Sequence, residues 1–163
     1  MITEPSIENR TEQPYVGIRT RVTIPDIGTA LPPLHREVAD WLENQGVAPA
    51  GAPFFRYLVI NMESESEIEV GIPVASALSG NGRIQAGLLP AGHYATLTHT
   101  GEYPGLYDAT RELLAWADKH GIQWQKSPSE HGEVWRARVE FYLNHDTEPD
   151  PTKRQAQLAF LVA

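Results

Sequence analysis

Two kinds of hydrophobic periodicity follow one another along this chain, and then do so again. Val16, Ile18, Thr20, Val22 and Ile24 alternate with more polar neighbours, the pattern of a half-buried strand. Pro32 and Pro33 suit a helix start, and Leu34, Val38, Trp41 and Leu42 then form one apolar helical stripe. Gly46 stops that helix, because glycine accepts the left-handed conformation after the last turn. Residues 54–62 and 68–75 follow as two strands joined by an acidic turn. The second series begins with a strand at 94–99 and a turn at Gly101. A helix over about 104–120 carries Leu106, Ala109, Leu113, Trp116 and Ala117 on one face and stops at Gly121. Strands at 135–143 and 157–162 close the series. At helical spacing, Trp41 and Trp116 read as core residues.

The two series are copies of one pattern. Trp41-Leu42-Glu43-Asn44-Gln45-Gly46-Val47 matches Trp116-Ala117-Asp118-Lys119-His120-Gly121-Ile122 in character at an offset of 75. The same offset carries Gly17 onto Gly92, Val38 onto Leu113 and Pro53 onto Pro128. The closing strands are 88 apart, so the second copy holds about 13 extra residues, and 144–154 is the expected place. Two helices serving six strands favour α+β over a doubly wound parallel fold. The expected architecture is two pseudo-symmetric strand-helix-strand-strand repeats, about 13–75 and 89–163, joined by a crossover at 76–88 into a single domain spanning 1–163. Their antiparallel sheet carries two helices on one face and leaves a ligand groove on the other.

Charge and composition narrow the function. The 163 residues include 21 acidic and 13 basic side chains, a net charge of -8, and no cysteine. Direct nucleic-acid binding is not expected, since phosphate contacts need clustered Lys and Arg. Disulfides, thiol catalysis and thiolate metal sites are excluded. The polar amino terminus lacks the basic and apolar regions of a secretory signal, and no run approaches the roughly 18 apolar residues of a membrane span. A soluble cytoplasmic protein without membrane contact is expected.

Standard catalytic signatures are missing: there is no Gly-rich phosphate loop, no G-x-S-x-G and no HExxH. The six histidines show no metal-ligand spacing, so neither a metal nor a cofactor is expected. His99, in a strand, is either a pocket residue or simply hydrogen bonded. Glu63, Glu65, Glu67 and Glu69, at every second position, read as a solvated hairpin edge. The strongest local signal is Arg136 to Leu143. Alternation puts Ala137, Val139, Phe141 and Leu143 on one wholly apolar face, expected under the helices, and Arg136, Arg138, Glu140 and Tyr142 on the other. Glu140 is then solvated, paired with Arg138, or used at a ligand site. Phe55, Tyr57, Tyr94 and Tyr142 share the groove by strand parity, with Tyr103, Tyr107 and Trp135 as further candidates. An aromatic groove with one carboxylate would attract cations, and in a dry setting that carboxyl's pKa would rise to suit general acid or base chemistry.

Leu89-Pro90-Ala91-Gly92-His93-Tyr94, then His99-Thr100-Gly101-Glu102-Tyr103 before the second helix, then Glu140-Phe141-Tyr142, Asp150-Pro151 and the closing Ala159-Phe160-Leu161-Val162-Ala163 resemble the GyrI-like small-molecule-binding family. This is the family of effector-binding domains of multidrug-responsive bacterial transcription activators. The resemblance covers about residues 13–163. It implies a ligand groove between two pseudo-symmetric halves, with the E-x-Y glutamate, here Glu140, receiving lipophilic aromatic or cationic ligands, and a lesser role for Tyr142. Arg138 departs from that pattern, and the chain leaves no room for a DNA-binding helix-turn-helix, so a standalone binding module is expected. Because some standalone relatives hydrolyse cyclopropane-containing genotoxins, the resemblance also allows an enzyme in which Glu140 activates water and Tyr142 donates to a carbonyl. Inhibition of gyrase, through the family name and the net charge, and self-association as a homo-oligomer are the remaining partner expectations.

Overall fold

Both helices end as their glycines predict. The computed structural model describes residues 1–163, and in it Gly46 and Gly121 have φ of 69° and 68°. Val47 N–H donates to the Leu42 carbonyl at 3.0 Å and Ile122 N–H to the Ala117 carbonyl at 2.9 Å. These are the same closing bond in the two halves, each reaching back five residues. The first helical region comprises one turn, α1 (Ile27–Ala30), and α2 (Pro32–Asn44); the second is α3 (Leu106–Lys119). No helix is long and apolar enough to cross a membrane.

Ten strands form one antiparallel sheet: β1 (Ser6–Arg10), β2 (Gln13–Thr23), β3 (Phe54–Ile60), β4 (Glu65–Pro73), β5 (Ile84–Leu89), β6 (Gly92–Thr100), β7 (Lys126–Ser129), β8 (Gly132–Trp135), β9 (Arg138–Tyr142) and β10 (Gln155–Leu161). Their order is β1-β6-β10-β9-β3-β4-β2-β5, with the β7–β8 hairpin hung from β3. The architecture is therefore mixed α+β. The order is a palindrome about the β9–β3 junction, four strands from each half.

The halves are closer knit than two adjacent repeats. Each begins with a strand, β1 or β5, that pairs with the other half: β1 with β6, and β5 with β2. Ser6–Ile18 and Ile84–Thr96 run as one antiparallel ribbon in a single register, interrupted only at residues 11–12 and 90–91. The segment expected to be a plain crossover thus supplies β5, and the repeat unit has five elements.

The constant offset of 75 holds for the helices alone. Ile18 and Leu97, which occupy equivalent places in β2 and β6, are 79 apart, so Gly17 and Gly92 do not correspond. The extra residues of the first half form α1, between β2 and α2. The central partners Phe55 and Glu140 are 85 apart, so most of the insertion precedes β9. It is the β7–β8 hairpin, not the loop at 144–154.

Directly opposed residues share a face of an antiparallel sheet. One row reads Ile84, Ile18, Val70, Phe55, Glu140, Leu158 and Leu97 across seven strands. This row faces the helices. Val38 and Leu42 of α2 pack with Val16, Ile18 and Ile72, while Leu106, Ala109 and Leu113 of α3 pack with Leu97, Leu158 and Phe160. The opposite face buries a second core of Tyr15, Phe54, Leu89, Tyr94, Ala137, Val139, Ala159 and Leu161, with Phe141 packed against it.

A cleft between the two helices

The expected faces of β9 are inverted. Glu140 opposes Leu158, Arg138 opposes Phe160 and Tyr142 opposes Ala156, all on the helix side. Ala137, Val139 and Phe141 point to the helix-free side. Their apolar character was expected to seek the helices, but α2 lies over β2 and β4 and α3 over β6. Neither helix makes its main contacts with β3 or β9, which α2 reaches through His35, and the helix-free face is a core in its own right. The side chains of Phe55, Arg138, Glu140 and Tyr142 therefore lie on the helix-bearing face, over the strands between α2 and α3.

Glu140 is half-buried on this face. Tyr142 Oη donates to Glu140 Oε1 at 2.5 Å and Tyr57 Oη to Oε2 at 3.4 Å. Loss of hydration raises the carboxyl's pKa, and the Tyr142 bond, Arg138 and the Tyr57 bond oppose that rise. Burial likewise pushes both phenols well above their ordinary range, reinforced by the neighbouring carboxylate. The site thus holds a weakened acid between two phenols that stay protonated.

Aromatic rings cluster around Glu140 and Tyr142. Phe55 is 5% exposed and meets Tyr142 edge-on at 5.0 Å. Tyr103, in the turn before α3, meets the other side of Tyr142 at 5.5 Å. His35 of α2 stacks on Phe55 at 4.8 Å, and its Nε2 lies 3.0 Å from the Phe54 carbonyl oxygen. Burial lowers the pKa of His35. The sequence reading did not single out His35, although its spacing to Val38 and Leu42 puts it on the sheet-facing stripe. His145 is also new: its Nδ1 bonds Tyr103 Oη at 2.7 Å from a loop whose sequence carries no signal for it.

Arg138 does not bond Glu140 directly. The two form no ion pair, and Arg138 finds no hydrogen-bond partner in the protein. Its guanidinium lies 4.7 Å from the ring centroids of both Trp135 and Phe160, and 5.9 Å from that of Tyr57. Burial lowers its pKa. Trp135, itself buried, donates Nε1–H to Glu133 at 2.6 Å.

Three expected site residues lie elsewhere. Tyr94 faces the helix-free side, its Oη bonded to the Pro90 carbonyl at 2.6 Å. Tyr107 is 67% exposed on α3, because the helix turns it away from the sheet. His99 is buried against the turn before α3, where a Cβ at Gly105 would come within 2.5 Å of its Nε2. A cavity of about 400 Å³ does exist on the helix-free side, lined by Arg10, Leu89, Tyr94, Val139 and Phe141 among others. Arg10 spans the rings of Tyr94 and Phe141 there, at 5.8 and 5.6 Å.

The acidic run also needs correction. Only Glu63 and Glu65 are fully solvated; Glu67 pairs with Arg19 at 2.5 Å and Glu69 is 8% exposed. β4 is an interior strand, so the run leads inward rather than along an edge.

A model of the GyrI-like small molecule binding domain matches residues 3–153. No curated protein matches the chain in sequence. Among solved structures, the C-terminal domain of EcmrR superposes with a TM-score of 0.78 at 18% identity, covering 98% of this chain and 97% of that one. In the EcmrR complex with DNA the TM-score is 0.76 at 19% identity, and this chain spans only 57% of the longer protein. SAV2435 bound to tetraphenylphosphonium gives 0.61 at 10% identity, covering 99% of this chain and 94% of that one. A hydrolase from Listeria innocua gives 0.65 at 10% identity over 98% and 92% of the two chains.

Proposed function

The chain belongs to the family of GyrI-like small-molecule-binding domains, and we propose that it takes lipophilic aromatic ligands in the cleft between α2 and α3, with Glu140 as their polar anchor. The observation that carries this reading is Glu140 itself. It is a carboxyl held by two phenols, in no direct ion pair, among Phe55, Tyr103, Tyr142 and His35. A carboxyl serving only the fold would be expected to have its charge compensated; this one retains its demand for a donor. The aromatic walls supply area and ring faces for a flat or cationic group. The complex of the distantly similar SAV2435 with tetraphenylphosphonium agrees with such a ligand class.

Calorimetry with a set of aromatic lipophiles, tetraphenylphosphonium included, tests the proposal. At least one should bind, and Glu140→Gln should weaken it by roughly tenfold, the worth of one charge-assisted hydrogen bond. Binding indifferent to Glu140→Gln, or absent throughout the set, would sink the reading.

The raised pKa of Glu140 beside two phenol donors favours a second reading, hydrolysis of cyclopropane-containing alkylators. There Glu140 would accept a proton from the attacking water, while Tyr142 or Tyr57 donates to the carbonyl oxygen whose charge grows as the ring opens. The fold shared with the Listeria innocua hydrolase is compatible with it. Mass spectrometry of such an alkylator should then show turnover that Glu140→Gln abolishes; equal rates in the two proteins would remove this reading.

A further inference from the structure

Arg138 is the group in the cleft that neither the fold nor the proposed anchor uses. Its guanidinium has five N–H donors, and no backbone carbonyl, side chain or carboxylate accepts from them. Instead its guanidinium lies over the rings of Trp135, Phe160 and Tyr57. Packing against three rings restricts its rotamers, so less side-chain entropy is lost when an acceptor arrives than for a free surface arginine. None of its nitrogens is sealed from solvent, since the buried unpartnered atoms belong to Glu37, Arg56 and His99. In this partly buried setting a charge-assisted bond to a ligand oxygen is stronger than one made in bulk water.

Glu140 stands two residues along the same strand and on the same face. The two side chains are close enough to act on each other's charge yet do not come within 4.0 Å, so a small amphoteric group could accept a hydrogen bond from Arg138 and donate one to Glu140.

We infer that the cleft selects aromatic molecules bearing an anionic or carbonyl acceptor beside a donor, the acceptor held by Arg138 and the donor by Glu140, over simple lipophilic cations. This rests on the reading of the cleft as the ligand site and names the class of ligand it favours. A bare cation meets Glu140 but also the positive charge of Arg138. An aromatic amino acid presents both signs at one carbon.

The decisive probes are 3-(2-naphthyl)alanine and 2-(2-naphthyl)ethylamine, which differ by one carboxylate. Calorimetry should show the wild-type protein binding the amino acid tenfold or more tighter than the amine. Arg138→Met should abolish or reverse that preference. Arg138→Lys, which keeps the charge and loses the planar fork, should reduce it severalfold and serves in its place if the methionine variant does not fold. Equal affinities in the wild type, a preference for the amine, or a preference that survives both substitutions overturns the inference. If Glu140→Gln weakens both probes and the Arg138 variants change nothing, the cleft reading stands and only the inference falls. If both probes ignore Glu140→Gln, they bind elsewhere and both fall together.

Discussion

Two clusters of glutamate, tyrosine and arginine lie on opposite faces of the same sheet. On the helix-free side Tyr15 Oη donates to the Glu69 carboxylate and accepts from Arg56 Nη1 at 2.8 Å. Arg56 continues to the Leu88 and Arg136 carbonyls at 3.1 and 2.7 Å, leaving only its Nε without a partner. On the helix side Tyr142 and Tyr57 donate to Glu140, while Arg138 bonds to nothing. The same residue types thus give one closed network and one open one. A closed network has its charges compensated and can only hold strands β2, β3 and β4 together. An open one leaves donors that the fold does not use, and under the proposed function these meet the ligand.

The difference yields opposite signs on substitution. The largest effect belongs to the closed cluster: Glu69→Leu should cost about 3 kcal/mol in denaturant unfolding, because it strips the Tyr15–Arg56 pair of its carboxylate. Tyr15→Phe should cost about 1–2 kcal/mol, since it removes the hydroxyl through which Glu69 and Arg56 meet. Tyr142→Phe should cost less than half of that but weaken probe binding severalfold. Equal losses of stability from the two tyrosine variants would erase the distinction between the clusters.

The smallest effect is a matter of pH. Glu140 has its pKa raised in the folded protein by burial, so the fold binds that proton more tightly than the unfolded chain does. Its ionisation therefore costs stability as pH rises through the window above its ordinary value of 4.5. Glu140→Gln should then be slightly more stable than wild type at neutral pH and lose that advantage below pH 4.5, where the wild-type carboxyl is protonated in the folded and the unfolded chain alike. Thermal melts at pH 7 and pH 4 check this. A loss of stability at pH 7 would mean that Glu140 is as structurally committed as Glu69.

How far the sequence foretold this arrangement varies from element to element. The helices and their stops were legible because glycine at the cap and the apolar stripe are local signals. Strands β1 and β5 were not: Ser6–Arg10 is polar and largely exposed, and both strands take their partners from the other half. Hairpin β7–β8 escaped for a similar reason, since Lys-Ser-Pro-Ser carries no apolar alternation. Strand β9 was read with the right alternation and the wrong face. Alternation separates two sets of side chains, but it cannot say which set lies under a helix when both faces are covered. Glu140, Tyr142, Tyr57, Phe55 and Arg138 are nevertheless brought together, because parity fixes companionship even where it leaves direction open. Glu69 was hidden in an acidic run whose burial changes along the strand.

The central claim is that ligands enter between α2 and α3. The crystal structure of the protein with 3-(2-naphthyl)alanine tests it most directly. The naphthyl group should lie between the two helices against Phe55, Tyr103 and Tyr142, with its ammonium at Glu140. Density for the probe in the cavity of about 400 Å³ on the other face, against Tyr94 and Phe141, would contradict the account.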